Sequence, residues 1–214
     1  MQVCKIKGVP IRIHYSLVIF ASLILSYAYL NSGLHIAIYT AQMLSILFVS
    51  VFLHELGHSF AAKKFEMETR SITLYPFGGI AMVNMASMTP KSEMIIAIAG
   101  PMTNFLIMLL SIPAMLISVP FSIEIFFLNT IMCFFNMIPA FPMDGGRVLR
   151  AALSFRMDSY TATLYCIRIS GLFSLLFLFL GIMFSFMSLA IVGVVLLFML
   201  SNESKILDAA TKSH

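Results

Sequence analysis

The stretch TAQMLSILFVSVFLHELGHSFAA, Thr40–Ala62, decides how this chain folds, because its only ionisable residues are His54, Glu55 and His58. Ionisable groups inside an apolar span are costly, so each of the three requires a functional reason. On a helix, the pattern HExxH places two imidazoles one turn apart on one face, where they can bind zinc, and the adjacent glutamate can act as a general base. The stretch therefore predicts a metalloprotease site within the bilayer.

The composition indicates a membrane protein. The chain has 214 residues, of which 60% are hydrophobic and only 10% are charged. This leaves too little polar surface for a soluble domain, so we expect an integral membrane protein in one compact unit over residues 1–214. The three cysteines are odd in number and show no CxxC spacing, so neither a disulfide framework nor a cysteine zinc site is predicted. The distribution of charge matters more than its sum of +4, and no nucleic-acid partner is predicted.

The predicted fold is an all-α polytopic membrane protein with about six transmembrane helices and small membrane-associated β-hairpins. The six apolar spans run approximately over His14–Leu30, Leu34–Ala62, Met94–Val119, Ile123–Ile138, Thr163–Met183 and Phe184–Leu200. With six spans, the lysines and arginines outside the spans fall on one side, and Arg168 lies near the same side, early in the fifth span. The opposite connections at 31–33, 120–122 and 183–185 contain none. The positive-inside rule then places both termini in the cytoplasm and the protein in the cell membrane. A five-span alternative would merge the last two spans and place Lys205 and Lys212 outside.

Two segments have the pattern of strands. Lys5–His14 alternates around Gly8-Val9-Pro10, and Thr69–Asn84 has strand-like runs on both sides of Pro76–Gly79. We assign hairpins to residues 1–13 and 69–90. Because unpaired backbone is intolerable in lipid, the two hairpins are expected to form a small sheet at the cytoplasmic side.

A catalytic zinc site needs a third protein ligand. The extended pattern HExxHxxGxxH would supply a histidine from the same segment, but this chain has Ala61 and Lys64 at the required glycine and histidine positions. Asp144 is the best candidate among the acids, since it follows an apolar span that Pro139 and Pro142 interrupt. A broken helix at membrane depth is tolerated where it lines a cavity or is buried in protein. The alternative for Asp144 is a helix cap or an ion pair with Arg147.

Three motifs together resemble the site-2 protease family of intramembrane zinc metalloproteases. They are HELGH at 54–58, AGPMTN at 99–104 and NxxPxxPxDGG at 136–146, and the resemblance spans nearly the whole chain. It implies a six-helix core and one zinc ion per chain, held by His54, His58 and Asp144, with Glu55 as the base. By the same analogy Asn136 orients the substrate or supports the oxyanion, although an ordinary interhelical hydrogen bond is equally plausible. For Asn104, such a hydrogen bond is favoured.

The resemblance also implies a substrate. The turn Pro76–Gly79 resembles the family's strand region that guides substrate, which makes Phe77, Gly78 and Gly79 candidates for substrate binding. The substrate would be a single-pass membrane protein, such as a membrane-tethered regulator released by cleavage. Some relatives carry a PDZ domain or C-terminal CBS domains, and we expect neither here.

Two other functions stay open at this stage. One is a membrane metal-binding or transport protein, since acids and histidines within spans also mark ion pathways. The other is a pseudo-protease that binds a helix without cutting it. The sequence shows no repeated half of the kind many transporters have, and no expected catalytic residue is missing.

Overall fold

The computed structural model describes residues 2–6, 8–76, 78–83 and 88–212, with the backbone alone for Ser188 and residues 202–212. Four strands and six helices follow one another along these residues. In chain order they are β1 Gln2–Ile6, β2 Val9–Ile13, α1 Tyr15–Lys63, β3 Thr69–Tyr75, β4 Gly78–Val83, α2 Pro90–Leu116, α3 Ser122–Asn136, α4 Asp144–Leu153, α5 Ser159–Met183 and α6 Met187–Lys212. They divide into two compact units, Met1–Met88 with Ala99–Cys133, and Thr89–Ile98 with Phe134–His214.

The first unit contains a four-stranded sheet in the order β1-β2-β3-β4. Strands β1 and β2 pair antiparallel, as do β3 and β4, and the parallel pairing of β2 with β3 joins these two hairpins. Strand β4 is therefore an edge of the sheet. The predicted strand–turn–strand segments thus correspond to strands of one sheet, and whether that sheet lies against a bilayer stays a prediction.

The sheet packs on the C-terminal half of α1. Its buried contacts form two clusters, one of Ile11, Leu56 and Ile72 and the other of Leu17, Val51 and Leu74. Val51 and Leu56 lie on either side of His54 and Glu55 in the sequence, and Leu56 is two residues before His58. The sheet therefore fixes α1 at the segment that carries these three residues.

Helix α1 has 49 residues and contains one break. Gly33 has φ 80° and ψ −179°, a conformation that a residue with a Cβ rarely adopts. The break falls in the predicted connection at 31–33, and His14 caps the start of α1 by accepting a hydrogen bond from the Ser16 backbone N–H. Two apolar helical stretches therefore meet at Gly33.

The second unit is built on the packing of α5, α6 and α4. Two clusters fill it, one of Ala140, Met143 and Leu196 and one of Phe141, Cys166 and Leu200. A buried ion pair links the start of α2 to α4, since Arg150 Nε donates to Glu93 Oε1 at 2.9 Å and Nη2 contacts the same oxygen. The arginines after Asp144 suggest contacts with anionic lipid headgroups on sequence grounds, but Arg150 has this internal partner.

Three of the helices in the described part of the chain, α1, α2 and α5, are long and apolar enough to cross a membrane. Two shorter apolar helical segments are Ser122–Asn136 and Leu189–Ser201. Large hydrophobic side chains are exposed all over the helices, for example Leu30, which is 79% exposed, and Leu116, which is 82% exposed. Such surfaces are stable in lipid and not in water, so the chain is a multi-pass membrane protein.

Candidate metal centre

The C-terminal half of α1 brings two histidines together inside the first unit. His54 and His58 are each 5% exposed, and their Nε2 atoms lie 3.1 Å apart with the rings edge-on. Two nitrogens bound about 2.0–2.1 Å from one tetrahedral zinc would be separated by about 3.3 Å. The observed separation is close to this value, so the pair fits a metal ion.

Gly100 on α2 lies directly against this pair. A Cβ at Gly100 would lie 2.6 Å from His54 Nε2 and even closer to His58 Nε2. Only glycine therefore lets the backbone of α2 pass this close to the ring nitrogens. This explains the glycine of the AGPMTN motif, which was quoted above only for its resemblance.

The two residues inside the HExxH pattern have structural roles. Leu56 lies in the buried cluster with Ile11 and Ile72. Gly57 faces α2, where a Cβ would lie 2.7 Å from the carbonyl oxygen of Ala99 and would also overlap the Thr103 hydroxyl. The pentapeptide thus holds its helix against the sheet on one side and against α2 on another.

Glu55 is buried against strand β4. Its Oε2 accepts a hydrogen bond from the backbone N–H of Ala81 at 3.1 Å. A Cβ at Gly79 would lie 2.9 Å from Glu55 Cδ and still closer to Cγ, so the carboxylate side chain occupies the space beside that glycine. Gly78 and Gly79 are the first residues of β4 and are half-buried, whereas Phe77 lies outside the described residues.

The other ring nitrogen of His54 has an amide partner. His54 Nδ1 lies 2.5 Å from Asn104 Oδ1, and Asn104 Nδ2 donates to Asn129 Oδ1 at 2.8 Å. Both asparagines are fully buried. The interhelical hydrogen bond favoured for Asn104 is present, and it reaches a candidate metal ligand. Asn129 was missed by the sequence reasoning, although an asparagine inside an apolar helix was a signal that could have found it.

Asp144 and Asn136 belong to the second unit. Asp144 is the first residue of α4 and is 7% exposed, and its Oδ1 lies 3.8 Å from Arg147 Nη1. The N-cap of α4 is Met143, so Asp144 is not the cap residue, and the ion pair with Arg147 is long and partly exposed. Asn136 is the last residue of α3 and is half-buried.

The two glycines after Asp144 lie inside α4 and not in a turn. A Cβ at Gly145 would overlap the Ile138 carbonyl oxygen, and one at Gly146 would lie 2.6 Å from the backbone of Ala140 and Phe141. By sequence alone, a pair of glycines after two prolines predicts a tight turn. Their function in the structure is to let residues 137–141 pass directly against the start of α4, which buries that helix terminus.

Comparison with known proteins places these features in context. The model of peptidase family M50 matches residues 42–124. A zinc metalloprotease of Methanocaldococcus jannaschii is 35% identical over 99% of this chain and 62% of its own length. A putative zinc metalloprotease of Synechocystis is 39% identical over 50% of this chain and 30% of its own length. The solved structure of the site-2 protease from M. jannaschii superposes with a TM-score of 0.72, at 33% identity, over 95% of this chain and 94% of that one.

Proposed function

Because this chain belongs to the site-2 protease family of peptidase family M50, we propose that it is an intramembrane zinc metalloprotease. It hydrolyses a peptide bond within or near the transmembrane segment of a membrane-anchored substrate. The observation that carries this proposal is the buried group His54, Glu55 and His58 inside the apolar helix α1. The chain spans 62% of the length of the curated archaeal relative. A metal-transport function is not favoured, because it gives no reason for Glu55 beside the two histidines.

We infer six membrane crossings. Helix α1 has 49 residues, which is about 74 Å at 1.5 Å per residue and more than twice the hydrocarbon thickness of about 30 Å. It therefore crosses twice and reverses at Gly33. Helices α2 and α5 cross once each, and the short segments Ser122–Asn136 and Leu189–Ser201 cross with local thinning of the bilayer. This count keeps the lysines and arginines on the cytoplasmic side of the cell membrane together with both termini.

The metal ligands are His54 Nε2, His58 Nε2 and Asp144. The first two are supported by their separation of 3.1 Å, and Asp144 by its burial at the start of α4. Two imidazoles and a carboxylate, with a fourth position left for water, are the donor set of a catalytic zinc site. Zinc in this site would supply Lewis acidity, which activates water and polarises the substrate carbonyl.

Glu55 acts as the general base. Its carboxylate takes the proton of the attacking water and then passes it to the nitrogen of the departing amine. The Ala81 N–H holds one carboxylate oxygen, so the side chain has a fixed orientation before substrate arrives. Asn136 is proposed to donate to the oxyanion, for which its side-chain amide has the right chemistry.

The substrate is a single-pass membrane protein that presents an extended segment to the hairpin of β3 and β4. A helical segment already satisfies its own carbonyls, so it must unwind before attack. Strand β4 is an edge of the sheet, and such an edge can add an extended peptide by backbone hydrogen bonds. The proposed substrate-contacting residues are Gly78 and Gly79 at the start of β4, together with Phe77, which precedes them in the sequence.

The test is cleavage of tagged single-pass substrates by the purified protein in lipid vesicles, with bound zinc measured on the same samples. Three proteins are compared, namely the native chain, Glu55→Gln and the exposed control Glu68→Gln. We expect all three to hold zinc and only Glu55→Gln to be inactive. Cleavage by Glu55→Gln at the native rate would contradict the role of Glu55. Zinc binding by all three proteins with cleavage by none of them would favour the pseudo-protease or metal-binding alternative.

A further inference from the structure

A chain of buried hydrogen bonds runs from the backbone of α3 to His54. Asn129 Nδ2 donates to the carbonyl oxygen of Ile125 at 2.8 Å and to Ser50 Oγ at 3.0 Å. Asn129 Oδ1 accepts from Asn104 Nδ2 at 2.8 Å, and Asn104 Oδ1 contacts His54 Nδ1. Every residue in this series of hydrogen bonds belongs to the first unit. The side chains of Ser50, His54, Asn104 and Asn129 are at most 5% exposed.

The Ile125 carbonyl, at one end of this series of hydrogen bonds, determines which group donates and which accepts in each of them. The Ile125 carbonyl can only accept, so the amide nitrogen of Asn129 must face it and Asn129 Oδ1 must face Asn104. If the side-chain amide of Asn129 were rotated by 180°, its Oδ1 would face the Ile125 carbonyl oxygen, and two buried acceptors in contact are costly. The same reasoning applies to the next link, because Asn104 can meet an acceptor oxygen only with its nitrogen. Its own oxygen is then turned towards His54.

The oxygen of Asn104 determines which ring nitrogen of His54 carries the proton. Asn104 Oδ1 has no hydrogen, so the proton of a neutral His54 ring belongs on Nδ1. Nε2 then carries a lone pair and points towards His58. In metal sites, the partner of the second ring nitrogen usually fixes the tautomer in this way, and that partner is commonly a carboxylate, a backbone carbonyl or water.

We propose that Asn129 selects the metal-binding tautomer of His54, although its own side-chain hydrogen bonds run to Asn104, Ser50 and Ile125. It acts through Asn104, and its own orientation is fixed by the Ile125 carbonyl. Asn129 is therefore a positioning residue for the metal centre. This inference rests on the proposed function only in taking His54 Nε2 as a metal ligand.

Nitrogen NMR of the metal-free protein, labelled with ¹⁵N at histidine, tests the proposal, because the Nδ1–H and Nε2–H tautomers give different shifts. The His54 signals are assigned by their loss in His54→Gln. We expect the native chain to show His54 with its proton on Nδ1. A native His54 with the proton on Nε2 would overturn the proposal without any further variant.

Two substitutions of Asn129 then separate tautomer selection from a structural role. Asn129→Leu removes the acceptor that orients Asn104, so the side-chain amide of Asn104 can rotate by 180°. We expect a mixture of His54 tautomers, with zinc affinity lowered by about 10–100-fold. In Asn129→Asp, a protonated carboxyl oxygen can donate to the Ile125 carbonyl in place of Nδ2, while the other oxygen keeps an acceptor facing Asn104. His54 should then keep its proton on Nδ1. If both variants leave the tautomer and the zinc affinity unchanged, or if both alter the tautomer equally, the proposal is wrong.

The matched control is Thr130→Val, next to Asn129 on α3. Thr130 Oγ1 donates to the Phe126 carbonyl, so this variant removes a polar group from the same helix and leaves the hydrogen bonds from Ile125 to His54 intact. It should keep the native tautomer and zinc affinity. Since the tautomer is read without metal or substrate, a chain that binds zinc but cleaves nothing would defeat the proposed function and leave this inference intact.

Discussion

Glu55 and Ala81 are joined by a hydrogen bond of 3.1 Å from the backbone N–H of Ala81 to Glu55 Oε2. This bond ties the proposed general base on α1 to strand β4, which is the edge of the sheet. Gly79 on the same strand adjoins the aliphatic part of the Glu55 side chain. The position of β4 and the orientation of the base are therefore coupled.

Gly79→Ala tests this coupling. The added methyl group would overlap the Glu55 side chain, so either the carboxylate or β4 must move. We expect kcat/KM for substrate cleavage to fall by about 100-fold, since a displacement of about 1 Å at a catalytic group can cost that much. Bound zinc should be unchanged. The same substitution at Gly171, where a Cβ would meet nothing within 4 Å, is the control and should leave cleavage intact.

Gly100→Ala should act on zinc binding itself. Its Cβ would overlap both Nε2 atoms of the histidine pair, so we expect zinc affinity to fall by more than about 100-fold, beyond the 10–100-fold typical of changes to outer-shell partners. Alanine is otherwise favourable in a helix by about 0.5–1 kcal/mol relative to glycine. Competition with a chelator measures the affinity. Native zinc affinity in this variant would show that the metal does not bind at the histidine pair.

Asp144→Asn tests the third ligand. Asparagine keeps the size of the side chain and removes its negative charge, so we expect zinc affinity to fall by about 100-fold or more. Asp158→Asn is the matched control, because Asp158 is the exposed N-cap of α5 and asparagine caps helices equally well. If the two variants bind zinc equally tightly, Asp144 is not a ligand.

The ion pair between Glu93 and Arg150 should contribute to stability. Arg150→Leu would leave the buried Glu93 carboxylate without its partner. Breaking a fully buried pair costs about 3–5 kcal/mol, and the 29% exposure of the Arg150 side chain lowers the expected cost below that range. We expect a corresponding loss in the free energy of unfolding, measured by denaturant titration in detergent. The exposed Arg156→Leu is the control. Equal stability of the two variants would show that Arg150 behaves as a surface residue.

Local sequence patterns were sufficient to predict the histidine pair and the strands. The spacing of four residues between His54 and His58 fixes their common face on any α-helix, and in the structure their Nε2 atoms converge. The family resemblance drawn from three motifs is confirmed by the comparisons. Helix α3 ends at Asn136, two residues before the predicted end of the span, because the prolines that follow lack a backbone N–H and disfavour further helix.

Contacts between distant segments could not be predicted in this way. The partners Asn104 and Asn129 are 25 residues apart, and Glu93 and Arg150 are 57 residues apart. Nothing in either local sequence specifies the other partner. The glycines at 145 and 146 show a related limit, since a turn and a close approach of backbone both require glycine and only the structure distinguishes them.

If this chain cleaves a membrane-anchored substrate with a metal ion bound at the histidine pair, cleavage and bound zinc should be lost and regained together. The most direct measurement follows zinc content and substrate cleavage on one native sample before chelation, after chelation and after zinc is returned. We expect about one zinc ion per chain before chelation, loss of cleavage together with the metal after chelation, and recovery of both when zinc is returned. Cleavage that persists after the zinc has been removed, or a native chain that never binds zinc, would contradict this expectation.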